Sequence, residues 1–259
     1  MDSNRRAALS AGVLFIIATV TNVLGTGLSR PFLGGTDYLS QVSGHVNQVT
    51  VGALLELVAA GACAGIAISM YPVLKKWGAG LALGSVVFRT MEALMYTVGV
   101  VGLLSVLALS QPPTTAGVAD RDSVQAVGDS LLDVRDQATL AGVLAFSLGA
   151  LMYYYLFYRS RLIPRWLSGW GIIAIILAIV AWSLALFSHR PLTTYTIVLL
   201  PIAVQEMVLA VWLIAKGFSS SALQSRAPAE TGPKTSAAES TAARLARHVG
   251  LANPGRIGS

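Results

Sequence analysis

Six stretches of about twenty or more predominantly apolar residues dominate this chain, approximately 7–27, 50–70, 80–107, 138–158, 166–187 and 192–215. A helix rises 1.5 Å per residue, so about 20 such residues cross the roughly 30 Å hydrocarbon layer of a bilayer. Within that layer every backbone N–H and C=O must find an internal partner, which a helix provides for itself. Charged residues make up 12% of the 259 and hydrophobic ones 54%, whereas a soluble domain carries about 25% charged residues. The expected fold is therefore all-α: a polytopic bundle of six transmembrane helices over 1–218, with 219–259 as a disordered, basic cytoplasmic tail.

The first stretch follows Arg5 and Arg6 and so has the charged start of a secretory signal. A signal core is about 7–15 residues long and ends in a small-residue cleavage site, so this longer run is read as a retained anchor. Cys63 is the single cysteine, which excludes an intramolecular disulfide and any thiolate cluster. Net charge is +6, but no base-reading motif accompanies it, and nucleic acid is not an expected partner.

The distribution of cations sets the orientation. With the amino terminus inside, the inner segments hold eight, namely Arg5, Arg6, Lys75, Lys76, Arg159, Arg161, Arg165 and Lys216. The outer loops hold four, Arg30, Arg121, Arg135 and Arg190. This bias puts both termini on the cytoplasmic side, with the plasma membrane as the expected location. The outer loop 110–137 is acidic and Pro-punctuated, and Val124, Val127, Leu131 and Val134 recur in it at helical spacing. That spacing predicts a short surface helix leading into the fourth span. In the tail, Ser236 with Glu239 fits a capping box, and Leu245 and Val249 beside Arg244, Arg247 and His248 fit a short basic helix.

Charges inside the apolar stretches are the informative residues. Glu56 lies in the second span, Arg89 and Glu92 in the third, and Glu206 beside Gln205 in the sixth. Each ionised group at the centre of a span costs about 2.5–3.5 kcal/mol on insertion scales, so such groups are expected to face the bundle interior and find partners. Counting 1.5 Å per residue from the inner ends, they stand about 14–21 Å up, in one midplane layer joining spans two, three and six, with Asn22 at its outer edge. Arg89, Glu92, Tyr96 and Gly99 form one stripe, while Glu56 shares its face with Gly52, Ala59, Ala60, Cys63 and Ala67. Small residues on that face permit close helix approach. On span six, Glu206 aligns with Ala203 and Ala210, and Pro201 is expected to bend the helix.

Three glutamates face one arginine, a formal charge of −2 in a poorly solvating layer, so at least one acid is expected to hold a proton. The candidate buried polar site is thus Glu56, Arg89, Glu92, Glu206, Gln205, Asn22 and Tyr96, with Glu206 or Glu56 as proton-exchanging acid and Arg89 as anchor for an anion. Two functions remain open from these residues. One is small-solute or proton-linked transport or binding; the other is a structural or regulatory membrane subunit in which the ionic layer only sets helix packing. No phosphate loop, dinucleotide fingerprint or nucleophile elbow occurs, and His45, His189 and His248 are scattered. No cofactor, metal or catalytic residue is expected, and the expected partners are the bilayer and a small molecule or proton. Gly61 and Gly65 form a G-x-x-x-G roughly opposite Glu56, a frequent motif that leaves the oligomeric state open.

Residues 88–93 (Phe-Arg-Thr-Met-Glu-Ala), 158–160 with 163–167 (Tyr-Arg-Ser, Ile-Pro-Arg-Trp-Leu), and Gln205-Glu206 running on to Trp212 and Phe218 together resemble the domain of unknown function 4386 family. The resemblance spans roughly 5–218. It implies a prokaryotic integral membrane protein of six or seven helices, and it assigns no activity, substrate or residue role.

Overall fold

The computed structural model describes residues 3–111, 121–188 and 190–224. Among these there is no strand, and the chain is a succession of helices: α1 (Ser3–Ser29), the short α2 (Tyr38–Gly44), α3 (Val46–Leu74), α4 (Ala79–Leu109), α5 (Arg121–Ser160), α6 (Arg165–Ser188), α7 (Thr196–Ala215) and the single-turn α8 (Ser220–Gln224). All but α2 and α8 are long and apolar enough to cross a membrane, so the protein is a six-span, multi-pass membrane protein. Each span packs against the next, and α7 closes back on α1 as well as on α6. The six therefore form a ring with an interior of its own.

Lipid tails are as apolar as leucine, so close packing rather than exclusion of water holds such a ring together. A close approach joins α1 and α3. A Cβ added to Gly25 would stand 2.8 Å from the Gly52 carbonyl oxygen, and one added to Gly52 would stand 2.8 Å from that of Gly25. Only glycine on both helices allows backbones this near. On the other flank of α1, a Cβ at Gly12 would lie 2.8 Å from the Ala210 carbonyl oxygen of α7.

The end of α7 is defined by two devices. Gly217 adopts φ +72°, the left-handed turn that stops a helix and in which glycine suffers no Cβ clash. Arg5 donates from Nη1 to Leu213 O at 3.1 Å and from Nη2 to Ile214 O at 2.6 Å, placing a cation on carbonyls that have no helical partner. Arg161, just beyond α5, has φ 57°, a conformation that disfavours an L side chain by roughly 1–2 kcal/mol.

Two differences from the sequence expectations concern the acidic loop. Its helix is not a short prelude: α5 runs 40 residues without interruption, about 60 Å, twice the hydrocarbon thickness. The face it turns inward carries Val124, Gly128, Leu131 and Arg135, while Val127 and Val134 stay exposed. Arg135, assigned above to the outer loop, is thus a residue of the bundle interior. Pro201 lies inside α7, which continues through it. The capping box and basic helix expected in the tail lie outside the described residues.

Candidate functional site

The interior charges resolve into two tiers. In the upper one, Arg135 Nη2 lies 2.8 Å from both carboxylate oxygens of Glu56. Its Nη1 donates to Gly99 O at 3.1 Å, and the Ser29 hydroxyl donates to Glu56 Oε1 at 3.1 Å. One carboxylate and one guanidinium thereby connect α1, α3, α4 and α5. The Gly25–Gly52 approach makes this possible, since it brings Ser29 of α1 beside the turn of α3 that bears Glu56. Helix α3 extends to Leu74, so Glu56 stands about 27 Å from its lower end, above the midplane layer expected from the sequence.

The lower tier is sealed. Arg89 Nη1 is 2.9 Å from Glu92 Oε2, an i,i+3 pair on α4 with exposures of 2% and 3%. The guanidinium sits over the Phe146 ring, 5.0 Å from its centroid. A Cβ at Gly149 would come within 3.2 Å of Arg89 Cγ, so α5 presents glycine where the arginine stem passes. Gln205 is fully buried; its Nε2 donates to Leu167 O at 3.1 Å and its Oε1 accepts from the Tyr154 hydroxyl. That residue links α5, α6 and α7 and is a packing node.

Glu206, unlike Glu56 and Glu92, has no ion pair within 4 Å among the described residues. Its Oε1 is buried without a hydrogen-bond partner, as are the Tyr153 hydroxyl and, in the lower tier, Arg89 Nε, Arg89 Nη1 and Glu92 Oε2, and Arg89 and Tyr153 are its electrostatic neighbours. Buried polar atoms are nearly always satisfied by protein or water; of these atoms only the Glu206 carboxylate belongs to a residue that lines a cavity, so it marks a place where water, a proton or a ligand belongs.

A cavity of about 390 Å³ connects Glu206 with the upper tier, a volume in the range of small-molecule sites. Asn22, Tyr96, Glu56, Arg135 and Glu206 line it, and Arg30, Asp136 and Pro191 stand at the end away from Ser3 and Ser219. The sequence-derived residues therefore separate. Glu56, Glu206, Asn22 and Tyr96 face the cavity, whereas Arg89, Glu92 and Gln205 do not; Phe146, which does line it, carries Arg89 on its ring. Arg89 is accordingly no anchor for a ligand in this cavity, and Arg135 is the interior cation that faces it. Sequence reasoning missed Arg135, although three interior acids facing one arginine called for a second cation. Counting formal charges, Glu56, Asp136 and Glu206 face Arg30 and Arg135, a surplus of one acid, which a proton or a monocation would neutralise. His45 plays no part: it stacks on Phe32 at 4.0 Å, and its Nδ1 lies 2.9 Å from Gln41 O.

Among known proteins, residues 10–217 match a family described as Domain of unknown function (DUF4386). No curated protein and no solved structure matches the chain.

Proposed function

The chain belongs to that family, and from this premise, which carries no activity, we propose that it is a small-solute or proton-linked transport or binding protein whose working group is Glu206. The observation carrying the reading is a carboxylate deep in the spans, lining a cavity, with one oxygen orphaned and no cation of its own. Glu56 has such a cation and Glu92 has another. Intramembrane acids that face a cavity are the usual elements of proton and solute pathways. Protonation of Glu206 removes the surplus charge; loss of that proton makes the cavity attractive to a small cation or to the amine of a zwitterion.

The bilayer is a cellular plasma membrane of bacterial type, with both termini cytoplasmic. The charge bias supports this orientation more strongly once Arg135 is withdrawn to the interior, leaving eight basic residues on the terminal face against Arg30, Arg121 and Arg190 opposite. A second reading, a structural or regulatory subunit, is favoured by Arg89 of α4, seated on Phe146 of α5, and by the Gln205 node of α5, α6 and α7, which join helices while neither Arg89 nor Gln205 lines the cavity.

Carboxyl infrared titration of the purified protein, paired with proton uptake into pyranine-loaded proteoliposomes, separates the two. A titrating carboxyl band and a proton flux that both disappear in Glu206→Gln while the fold survives are expected. Identical bands and fluxes in wild type and Glu206→Gln would defeat the proposal and leave the packing role.

A further inference from the structure

On the face that bears Ser3 and Ser219, the end of α5, the start of α6 and the end of α7 enclose a second, open pocket of about 700 Å³. Its charged lining is Arg161, Arg165 and Lys216. All three are exposed, and every described Asp and Glu lies in the interior or towards the opposite face. Arg165 rests over the Tyr158 ring, 5.3 Å from its centroid; no hydrogen bond or ion pair engages the Arg161 or Lys216 side chain among the described residues. The pocket floor is built beforehand: Ser219 N donates to Leu162 O at 2.9 Å, and the Phe157 and Phe218 rings meet at 6.0 Å beneath it.

This pocket continues into an apolar groove of about 420 Å³ on the outer side of α7. The two share Trp212 and Lys216, and beyond them the groove runs along Val204, Val208 and Val211. A cationic pocket at the height where α5 and α7 end, joined to an apolar groove descending along a span, has the charge and polarity profile of an anionic lipid. Phosphate oxygens suit guanidinium and ammonium donors, acyl chains suit the valines, and an indole suits the boundary between them.

We infer that this composite surface is a binding site for one anionic phospholipid, its phosphate held by Arg161, Arg165 and Lys216 and an acyl chain lying along α7. The left-handed backbone of Arg161 fits this role. Glycine or asparagine is the natural occupant of such a turn, yet the chain places there a long cation that points at the pocket.

The test uses the full chain in a zwitterionic detergent, titrated separately with dioctanoyl phosphatidylglycerol, dioctanoyl phosphatidylcholine and inorganic phosphate, with tryptophan fluorescence as readout. The phosphatidylglycerol response is expected to be saturable and the phosphatidylcholine response at least tenfold weaker. Combining Arg161→Asn, which suits the left-handed turn, with Lys216→Gln should weaken phosphatidylglycerol at least tenfold, and Arg161→Lys should largely retain it. Equal affinity for the two lipids, or an unchanged affinity in the double variant, overturns the site. Inorganic phosphate alone reproducing the full, variant-sensitive response overturns the lipid assignment in favour of a soluble phosphate. Circular dichroism of the double variant establishes that lost binding is not lost fold. Proton flux through Glu206 is measured independently, so the two proposals succeed or fail separately.

Discussion

Glu56 and Glu206 are the same side chain in the same kind of helix, and what each can do is set by its partners. Glu56 accepts from Arg135 and Ser29, so its charge is compensated. Replacing it with Gln leaves Arg135 uncompensated, and breaking such a pair from one side costs about 3 kcal/mol. Unfolding of Glu56→Gln in detergent should show a loss of this order, partly recovered when Arg135→Gln is added. Arg89→Met should be similarly damaging because it strands Glu92, whereas Glu206→Gln should change stability little, having no ion pair to break. A large destabilisation by Glu206→Gln would mean that the orphaned carboxylate has a structural role after all.

Individual helices are positioned by small residues and by their ends. Gly52→Leu would push a side chain into the backbone of α1 and is expected to cost at least about 2 kcal/mol; Gly61→Leu, on the open side of α3 with nothing within 4 Å, should fall within about 0.5 kcal/mol of wild type. Comparing their melting temperatures tests whether the α1–α3 seam lies at Gly25 and Gly52. Arg5→Ala removes a cation from the carboxyl end of α7 and should cost about 1 kcal/mol. Hydrogen exchange should then quicken in the last turn of α7 before it does elsewhere. The length of α5 belongs to this scale too. Valine spacing in the acidic loop announced a helix, but that its inward face carries Arg135 depends on rotation against α4, a matter of neighbours that a single segment does not contain.

For the whole molecule, an even number of crossings puts Ser3 and Ser219 on one face and Gly35 on the other. In a Cys63→Ala background, single cysteines at these positions should divide accordingly: Gly35→Cys labelled by a membrane-impermeant maleimide in intact cells, and Ser3→Cys and Ser219→Cys labelled only after lysis. Asn22→Cys, if the cavity admits water from the outer face, should react with a small charged thiosulfonate in the same intact cells. Span number and the candidate acids were legible in the chain because the hydrocarbon layer imposes its thickness on every segment alike and makes each interior charge conspicuous. Glu92, three residues from Arg89 on one helix, had its cation within reach in the chain itself; that Glu56 acquires one and Glu206 does not was not legible. That depends on how a ring of helices rotates and staggers until glycines meet, and only the packed bundle brings Arg135 to Glu56, seals Arg89 against Glu92 behind Phe146 and leaves Glu206 facing a cavity.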